Sequence, residues 1–356
     1  MSGTVLNDLR TAKHADEVTV VTGLLRSHGL TAAERAGIHD RAVAIVEAAR
    51  LRRRELGPLD NFLQEFGLSN NEGIALMCIA ECLLRIADPE TADRLIAEKI
   101  AQGQWDAHLG RSDSAFVNAA AWGLMLTGKI TDLERGGERD AGNFLKRMVA
   151  RSGESVIRTA MGQAMRVMGG HFVLGRTIKE AMAEARKARP TGTVHSYDML
   201  GEGARTWEQA TRYLDAYVKA IDAVGAEAAG RGPMAAPGVS IKLSALHPRY
   251  VQAQHADVMA RLVPAVKGLA LQAKRWDINL TIDAEEADRL ELSQDILSAL
   301  AHDPDLAGWN GLGLAIQAYS KRTHLLVDWL VDLARAAGRR LMVRLVKGAY
   351  WDTEIK

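Results

Sequence analysis

The stretch Leu341-Met-Val-Arg-Leu-Val-Lys-Gly-Ala-Tyr-Trp-Asp352 decides how the rest of the chain is read. It opens with the pattern of a buried strand, apolar on both sides of Arg344, and passes into a loop at Lys347, Gly348, Ala349 and Tyr350. An arginine inside an apolar strand is costly to bury unless it is paired. The lysine supplies charge, the glycine lets a ligand approach the backbone, and the tyrosine supplies an aromatic face. Together they suit a ligand site at a strand end. Two earlier stretches, Val239–Tyr250 and Leu280–Leu292, repeat the theme of an apolar run carrying charge. The three are expected to wall one pocket.

Outward from that stretch, short apolar runs alternate with helical ones back to Pro190. The pattern predicts strands over His195–Leu200, Val239–Ser244, Ile278–Ala284, Leu312–Tyr319 and Leu341–Lys347. It predicts helices over Thr206–Ala229, Ala256–Arg275, Ala287–Ala301 and Arg322–Ala337. Such a rhythm implies a parallel sheet, doubly wound or in a (β/α)8 barrel. Asp198, Lys242, Asp283, Gln317, Arg344 and Lys347 lie in or at the ends of these strands, which favours a barrel with its site at the C-terminal face. No Gly-x-Gly-x-x-Gly joins the first strand to its helix, and Gly311-Leu-Gly313 precedes its strand. Five strands cannot close a barrel, so the chain is expected to be part of a longer protein.

Residues 1–70 read as a polar helical arm. Thr31-Ala-Ala-Glu34 is a capping box, followed by Ile38, Ala42, Ile45, Val46 and Ala49 at helical spacing. Val18–Leu25 fits strand or helix. Residues 71–190 read as a helical domain, with Cys78 and Cys82 packed in one apolar helix, a stop and restart at Asp88-Pro89, a buried helix over Ser114–Leu126 and an amphipathic one over Thr177–Ala188. The length of 356 residues implies two or more structural units. A net charge of +1 gives no overall preference for nucleic acid or acidic membranes, and the basic run Arg50–Arg54 reads as a solvated helix face. The two cysteines form no disulfide framework, which fits a reducing cytoplasm. Neither a signal peptide nor a membrane span is visible. The histidines lack ligand spacing, so no metal site is expected, and His247 reads as a loop residue packed on its neighbours.

Chemistry alone leaves alternatives open. Lys242 could anchor a carboxylate, serve as a Schiff-base amine or form a structural ion pair. Asp283 could orient a ligand or pair with Lys242. Asp198 and Glu202 flank Met199-Leu-Gly201, and Glu202 stands where a loop gate or a solvated carboxylate would.

Five motifs narrow this. Ser196-Tyr-Asp-Met-Leu-Gly-Glu202, Val239-Ser-Ile-Lys-Leu-Ser-Ala-Leu-His-Pro-Arg-Tyr250, Leu280-Thr-Ile-Asp-Ala-Glu-Glu-Ala-Asp-Arg-Leu290, Leu314-Ala-Ile-Gln-Ala-Tyr319 and Arg344-Leu-Val-Lys-Gly-Ala-Tyr-Trp-Asp352 resemble, in order, the flavin-dependent proline dehydrogenase family. The segment from Glu72 to Ile100 resembles the helical domain of its bifunctional form, proline utilization A. The resemblance spans roughly residues 60–356.

It implies a distorted barrel that holds FAD and passes a hydride from proline C5 to flavin N5, giving Δ1-pyrroline-5-carboxylate. Catalytic roles then fall to Lys242, Arg344 and Tyr350. Lys242, with Asp198 nearby, holds the proline carboxylate; Ala349 and Tyr350 line the proline ring; Glu202 is half of an ion-pair gate. Arg344 reaches the flavin near N5, Asp283, Ala284 and Gln317 sit at its edge, and Val346, Lys347, Gly348 and Ala349 contact the cofactor farther along. The family's paired arginines and its adenosine-binding loops have no counterpart here, so competent catalysis is expected of the longer parent. The resemblance also implies electron transfer to a membrane quinone, a cytoplasmic protein with peripheral contact at the inner membrane, homo-oligomers, and a second NAD-dependent activity whose cofactor these residues do not bind. Residues 1–50 lack the family's ribbon-helix-helix pattern, so no nucleic-acid partner is expected. The rivals are a Schiff-base lyase using Lys242 or Lys347, and a helical assembly module.

Overall fold

The computed structural model describes residues 3–52, 173–187 and 192–350, with side chains from residue 7 onward. The expectations for Cys78 and Cys82, Asp88-Pro89, Ser114–Leu126 and Trp351-Asp352 lie outside the described residues. In chain order the elements are helices α1 (Gly3–Ala12), α2 (Glu17–His28), α3 (Ala32–Arg52) and α4 (Ile178–Lys187), then five strand–helix units in which the last strand ends the series. These are β1 (Ser196–Asp198), α5 (Trp207–Ala228), β2 (Gly238–Ile241), α6 (His255–Trp276), β3 (Leu280–Ile282), α7 (Leu290–Ala301), β4 (Leu312–Gln317), α8 (Thr323–Ala336) and β5 (Met342–Val346). The chain divides into two compact units, residues 1–29 with 175–356, and residues 30–174.

In the second unit, α3 starts from the expected capping box. The Thr31 N–H and hydroxyl both donate to Glu34 Oε2 at 2.8 Å, and the Glu34 N–H donates to Thr31 Oγ1 at 3.2 Å. The apolar stripe behind it does not mark a buried face: Ile38, Ile45 and Val46 are exposed.

In the first unit the ambiguous Val18–Leu25 segment is helical, because Asp16 caps α2 by accepting the Thr19 N–H at 2.8 Å. All five strands pair in parallel and in sequence order, β1-β2-β3-β4-β5. With a helix after each of the first four, this is half of a (β/α)8 barrel. Every strand stops short of its predicted C-terminal end, since the last predicted residues already belong to the strand-end loops, while β2 starts one residue earlier than expected, at Gly238.

The core lies between the sheet and its helices. Val239 and Ile241 of β2, Leu280 and Ile282 of β3, and Leu312, Leu314 and Ile316 of β4 are buried. They meet Ile221 and Val224 of α5, Leu262, Val266 and Leu269 of α6, Leu292 and Ile296 of α7, and Leu326, Leu330 and Leu333 of α8 in one cluster. Each such side chain contributes about 1.5–3 kcal/mol by leaving water. Among the described residues β5 pairs with β4 alone, and Val343 and Leu345, read as buried from the sequence pattern, are 47% and 62% exposed.

The first helix joins this unit. Leu9 is buried in the core cluster and α1 packs on α8. Arg10 Nε donates to Glu291 Oε2 at 2.8 Å, Lys13 pairs with Asp288, and Lys321 Nζ donates to the Ala15 carbonyl at 2.8 Å. Among the described residues no helix is long and apolar enough to cross a membrane.

Candidate functional site

Each strand splits its residues between two faces, because successive side chains alternate. On β2, Val239 and Ile241 face the helices, which leaves Ser240 and the following Lys242 on the inner face. On β3 the outward pair is Leu280 and Ile282, and Thr281 and Asp283 turn inward. The register carries this parity across the sheet: Ser240 pairs with Asp198 and Thr281, and Ala315 pairs with Arg344. The inner face is thereby small and polar while the outer face is apolar.

Two cations and two carboxylates meet on it. Lys242 Nζ donates to both oxygens of Asp198 at 2.9 Å and to Asp283 Oδ2 at 3.0 Å. Arg344 Nη2 donates to the other Asp283 oxygen, and its Nη1 donates to Ser240 Oγ at 3.1 Å. Ser240 is fully buried and lies 3.1 Å from the Ser196 hydroxyl. The Lys242 N–H donates to the buried Tyr217 hydroxyl at 3.1 Å. The Asp283 side chain is 9% exposed, and the cations paired with it offset the cost of burying its charge.

Burial works against the Lys242 ammonium, but its hydrogen bond to Asp198 and the charge of Asp283 outweigh that and hold its pKa above the ordinary lysine value. A Schiff-base lysine must shed its proton to attack a carbonyl, and here the surroundings favour the opposite state. The lyase reading of Lys242 therefore loses its support.

A second group gathers at the ends of β4 and β5. Gln317 Oε1 accepts the Ala349 N–H at 3.2 Å, and its Nε2 donates to the Glu285 carbonyl at 2.9 Å. The Val346 and Lys347 carbonyls accept the Ala318 and Tyr319 N–H groups at 2.7 and 3.2 Å. Gly348 sits at φ +119°, and a Cβ there would come within 2.2 Å of the Tyr319 ring. Only glycine lets the chain turn this closely. Tyr350 is half-buried; its hydroxyl is pushed up to about 12 by burial first and then by the charges of Glu202, Glu286 and Glu285. Glu202 lies on the exposed loop after β1. Ala284 lines a small cavity of about 30 Å³ with Asp283, Gln317 and Tyr319, water-sized rather than ligand-sized. A recess of about 770 Å³ lies elsewhere, on the outer helical layer between α5 and α6.

The predicted residues thus fall into two neighbouring sets: Asp198, Lys242, Asp283 and Arg344 in one, Gln317, Gly348 and Ala349 in the other. His247 is packed as expected, 2% exposed, with its ring edge-on to Trp207 at 4.8 Å and Nε2 3.2 Å from Asp257. Sequence reasoning passes over Ser196, Ser240, Tyr217, Ser244 and Glu285. Ser240 carries a signal, since Val239-Ser-Ile-Lys alternates apolar and polar residues with period two. Tyr217 carries none, because on a helix it reads as ordinary core.

A family model described as "Proline dehydrogenase" matches residues 181–356, and one described as "DNA-binding domain of Proline dehydrogenase" matches residues 58–172. The bifunctional protein PutA of Salmonella typhimurium is 54% identical over 300 residues, covering 84% of this chain and 23% of that protein. PutA of Rhizobium meliloti is 53% identical over 312 residues, covering 88% and 25%. A crystal structure of a variant of Bradyrhizobium japonicum proline utilization A superposes with a TM-score of 0.64 at 46% identity, covering 96% of this chain and 34% of that one. The chain spans about a quarter of the length of these curated relatives.

Proposed function

Because this chain belongs to the proline dehydrogenase family, we propose that the longer protein whose barrel these residues begin binds L-proline and FAD and oxidises proline to Δ1-pyrroline-5-carboxylate. This would be the first step in turning proline into glutamate. The observation that supports it most is the Asp198–Lys242–Asp283–Arg344 cluster at the strand ends.

The donor set suits a flavin. Gly348 brings backbone close to the site, Gln317 is fixed at its edge, and the Arg344 side chain is 42% exposed. Bound FAD supplies the hydride acceptor. Asp283, Ala284 and Gln317 would border the flavin ring, and Val346, Lys347, Gly348 and Ala349 would follow the chain beyond it. Arg344 would supply positive charge to the acceptor as it gains electrons, and Asp283 and Ser240 hold the guanidinium in place. Lys242 binds the substrate carboxylate by shifting a donor from the half-exposed Asp198, while Asp283 keeps the ammonium charged. Ala349 and Tyr350 wall the proline ring and exclude water. Tyr350 stays a neutral phenol through the physiological range. Glu202 would close over the substrate as half of a gate.

For the whole protein we propose an arm over 1–70, a helical domain over 71–190 and the barrel from 191. We further propose electron delivery to a membrane quinone, a cytoplasmic location with peripheral contact at the inner membrane, and a separate NAD-dependent activity outside these residues. The exposed stripe on α3 supports self-association. Sedimentation of the full-length protein and its Ile45→Glu form tests that: an unchanged mass would remove α3 from the interface. The model matching residues 58–172 is described by DNA binding, whereas residues 1–50 lack the family's ribbon-helix-helix pattern. We expect no shift of duplex DNA in a mobility assay, and a shift would revise this.

The deciding experiment adds L-proline anaerobically to the full-length protein and follows the visible flavin band. Bleaching that is lost in Lys242→Ala and Arg344→Ala supports the reaction. A bound flavin indifferent to proline would keep the cofactor and remove the substrate. No bound flavin would remove both.

A further inference from the structure

Glu285 takes no part in the scheme above, yet it is the middle link of a chain of hydrogen bonds that visits all five strand-end loops. In the loop after β1, the Gly203 N–H donates to Ser244 Oγ at 3.0 Å and the Ala204 N–H to the Ser244 carbonyl at 2.8 Å. Ser244 follows β2, and its own N–H donates to Glu285 Oε1 at 3.0 Å. Glu285 follows β3, and its carbonyl accepts Gln317 Nε2 at 2.9 Å. Gln317 ends β4, and its Oε1 accepts the Ala349 N–H beyond β5 at 3.2 Å. The other Glu285 oxygen is held by Arg289 Nη1 at 2.9 Å, and Arg289 lies over the buried Tyr250 ring.

Two features separate this belt from ordinary loop bonding. Its central side chains are sealed, Ser244 at 2% and the Glu285 carboxylate-bearing side chain at 4% exposed. A carboxylate so deeply placed is costly, and burial raises its pKa even against Ser244 and Arg289. A neutral apolar residue would fill the space at lower cost but could not accept the Ser244 N–H. Its two ends are also the two loops that carry Glu202 and Ala349–Tyr350, which the proposed reaction sets on opposite sides of the substrate.

We infer that Glu285 is a positioning residue: its carboxylate holds the β1 loop with Glu202 through Ser244, while its backbone carbonyl, by way of Gln317, ties its own loop to the β5 loop with Ala349. The inference rests on the proline dehydrogenase reading for what the loops enclose, but the belt itself does not depend on it. Glu285 touches no reacting atom. It acts by keeping an acceptor in place, so its amide isostere is expected to serve and its truncation is not.

The test uses the full-length holoprotein with Glu285→Gln, Glu285→Ala and Ser244→Ala, the last a smaller change that removes only the acceptor of the Gly203 N–H. Hydrogen exchange by mass spectrometry reads the peptides over 200–206 and 346–350, and steady-state kinetics separates KM for proline from kcat. Glu285→Ala is expected to speed exchange in the 200–206 peptide by about fivefold or more, the equivalent of one lost hydrogen bond, and to leave 346–350 nearly unchanged, because the Gln317 link uses the backbone carbonyl. It is also expected to raise KM about fivefold with kcat nearly kept, and Glu285→Gln restores both. Ser244→Ala speeds the 200–206 peptide alone. The proposal is overturned if Glu285→Gln is as damaged as Glu285→Ala, or if exchange in 200–206 ignores both Glu285→Ala and Ser244→Ala. If the wild-type flavin ignores proline, the proposed reaction fails, while the exchange results still decide the belt.

Discussion

β2 and β5 each send one cation toward the same carboxylate, and they do so from opposite environments. β2 is buried along its whole length, and the Lys242 side chain at its end is 16% exposed. Among the described residues β5 pairs on one side only, and the Arg344 side chain on it is 42% exposed. Lys242 is held by two carboxylates, Arg344 by one together with a serine hydroxyl. The deeper a charge lies, the more partners it needs to offset lost hydration. The difference fits the distinct work proposed for each: a fixed ammonium for the substrate anion, and a guanidinium with surface left to face the cofactor.

The largest expected effect breaks the buried side of this comparison. Lys242→Met in the full-length protein should lower kcat/KM for proline by about 100-fold and stability by about 1.5–3 kcal/mol, because it removes charge-assisted bonds to Asp283 at a buried site. Stopped-flow flavin bleaching and chemical denaturation read the two. Equal stability would mean that Asp283 needs Arg344 alone.

Arg344→Ala should show the contrast. Flavin reduction should slow by about tenfold or more, with a stability loss under about 1 kcal/mol, since the residue is well solvated and Lys242 still neutralises Asp283. A stability loss matching that of Lys242→Met would erase the distinction between the two cations.

Gly348→Ala sharpens the β5 side. At φ +119°, with a Cβ directed at the Tyr319 ring, it should cost about 1–3 kcal/mol. Flavin content of the purified protein should fall with it, and full retention would separate this turn from cofactor binding.

The smallest effect is a titration. Tyr350, pushed up to about 12, has a folded pKa above the ordinary tyrosine value of about 10. Its contribution is therefore fully present below about pH 10 and lost as pH rises toward about 12. Lys242 has the same sign, its folded value lying above that of an unfolded lysine. The difference spectrum between wild type and Tyr350→Phe should show no phenolate through pH 10; earlier ionisation would mean Tyr350 is more open to water.

Much of the half-barrel and its site is legible in the residues alone. The strand–helix rhythm from His195 to Lys347 predicts the elements, and the charged residues at the strand ends predict Asp198, Lys242, Asp283 and Arg344 as a set. The exposure of Val343 and Leu345 is not legible, because an apolar run reads the same whether one or both of its sides are covered. Nor is the docking of α1, which rests on one leucine and a few ion pairs to residues some 280 positions away.

The sequence by itself determined the local structure and the cast of the site, because helical and strand periods, caps and turns are written within a few residues of one another. Only the tertiary structure decided who meets whom. That Lys242 and Arg344 share Asp283, across 41 and 61 residues, follows from strand register. So does the belt from Gly203 through Glu285 to Ala349. Register is fixed by packing the outer apolar face on its helices, and a slip of one residue would turn every inner side chain outward.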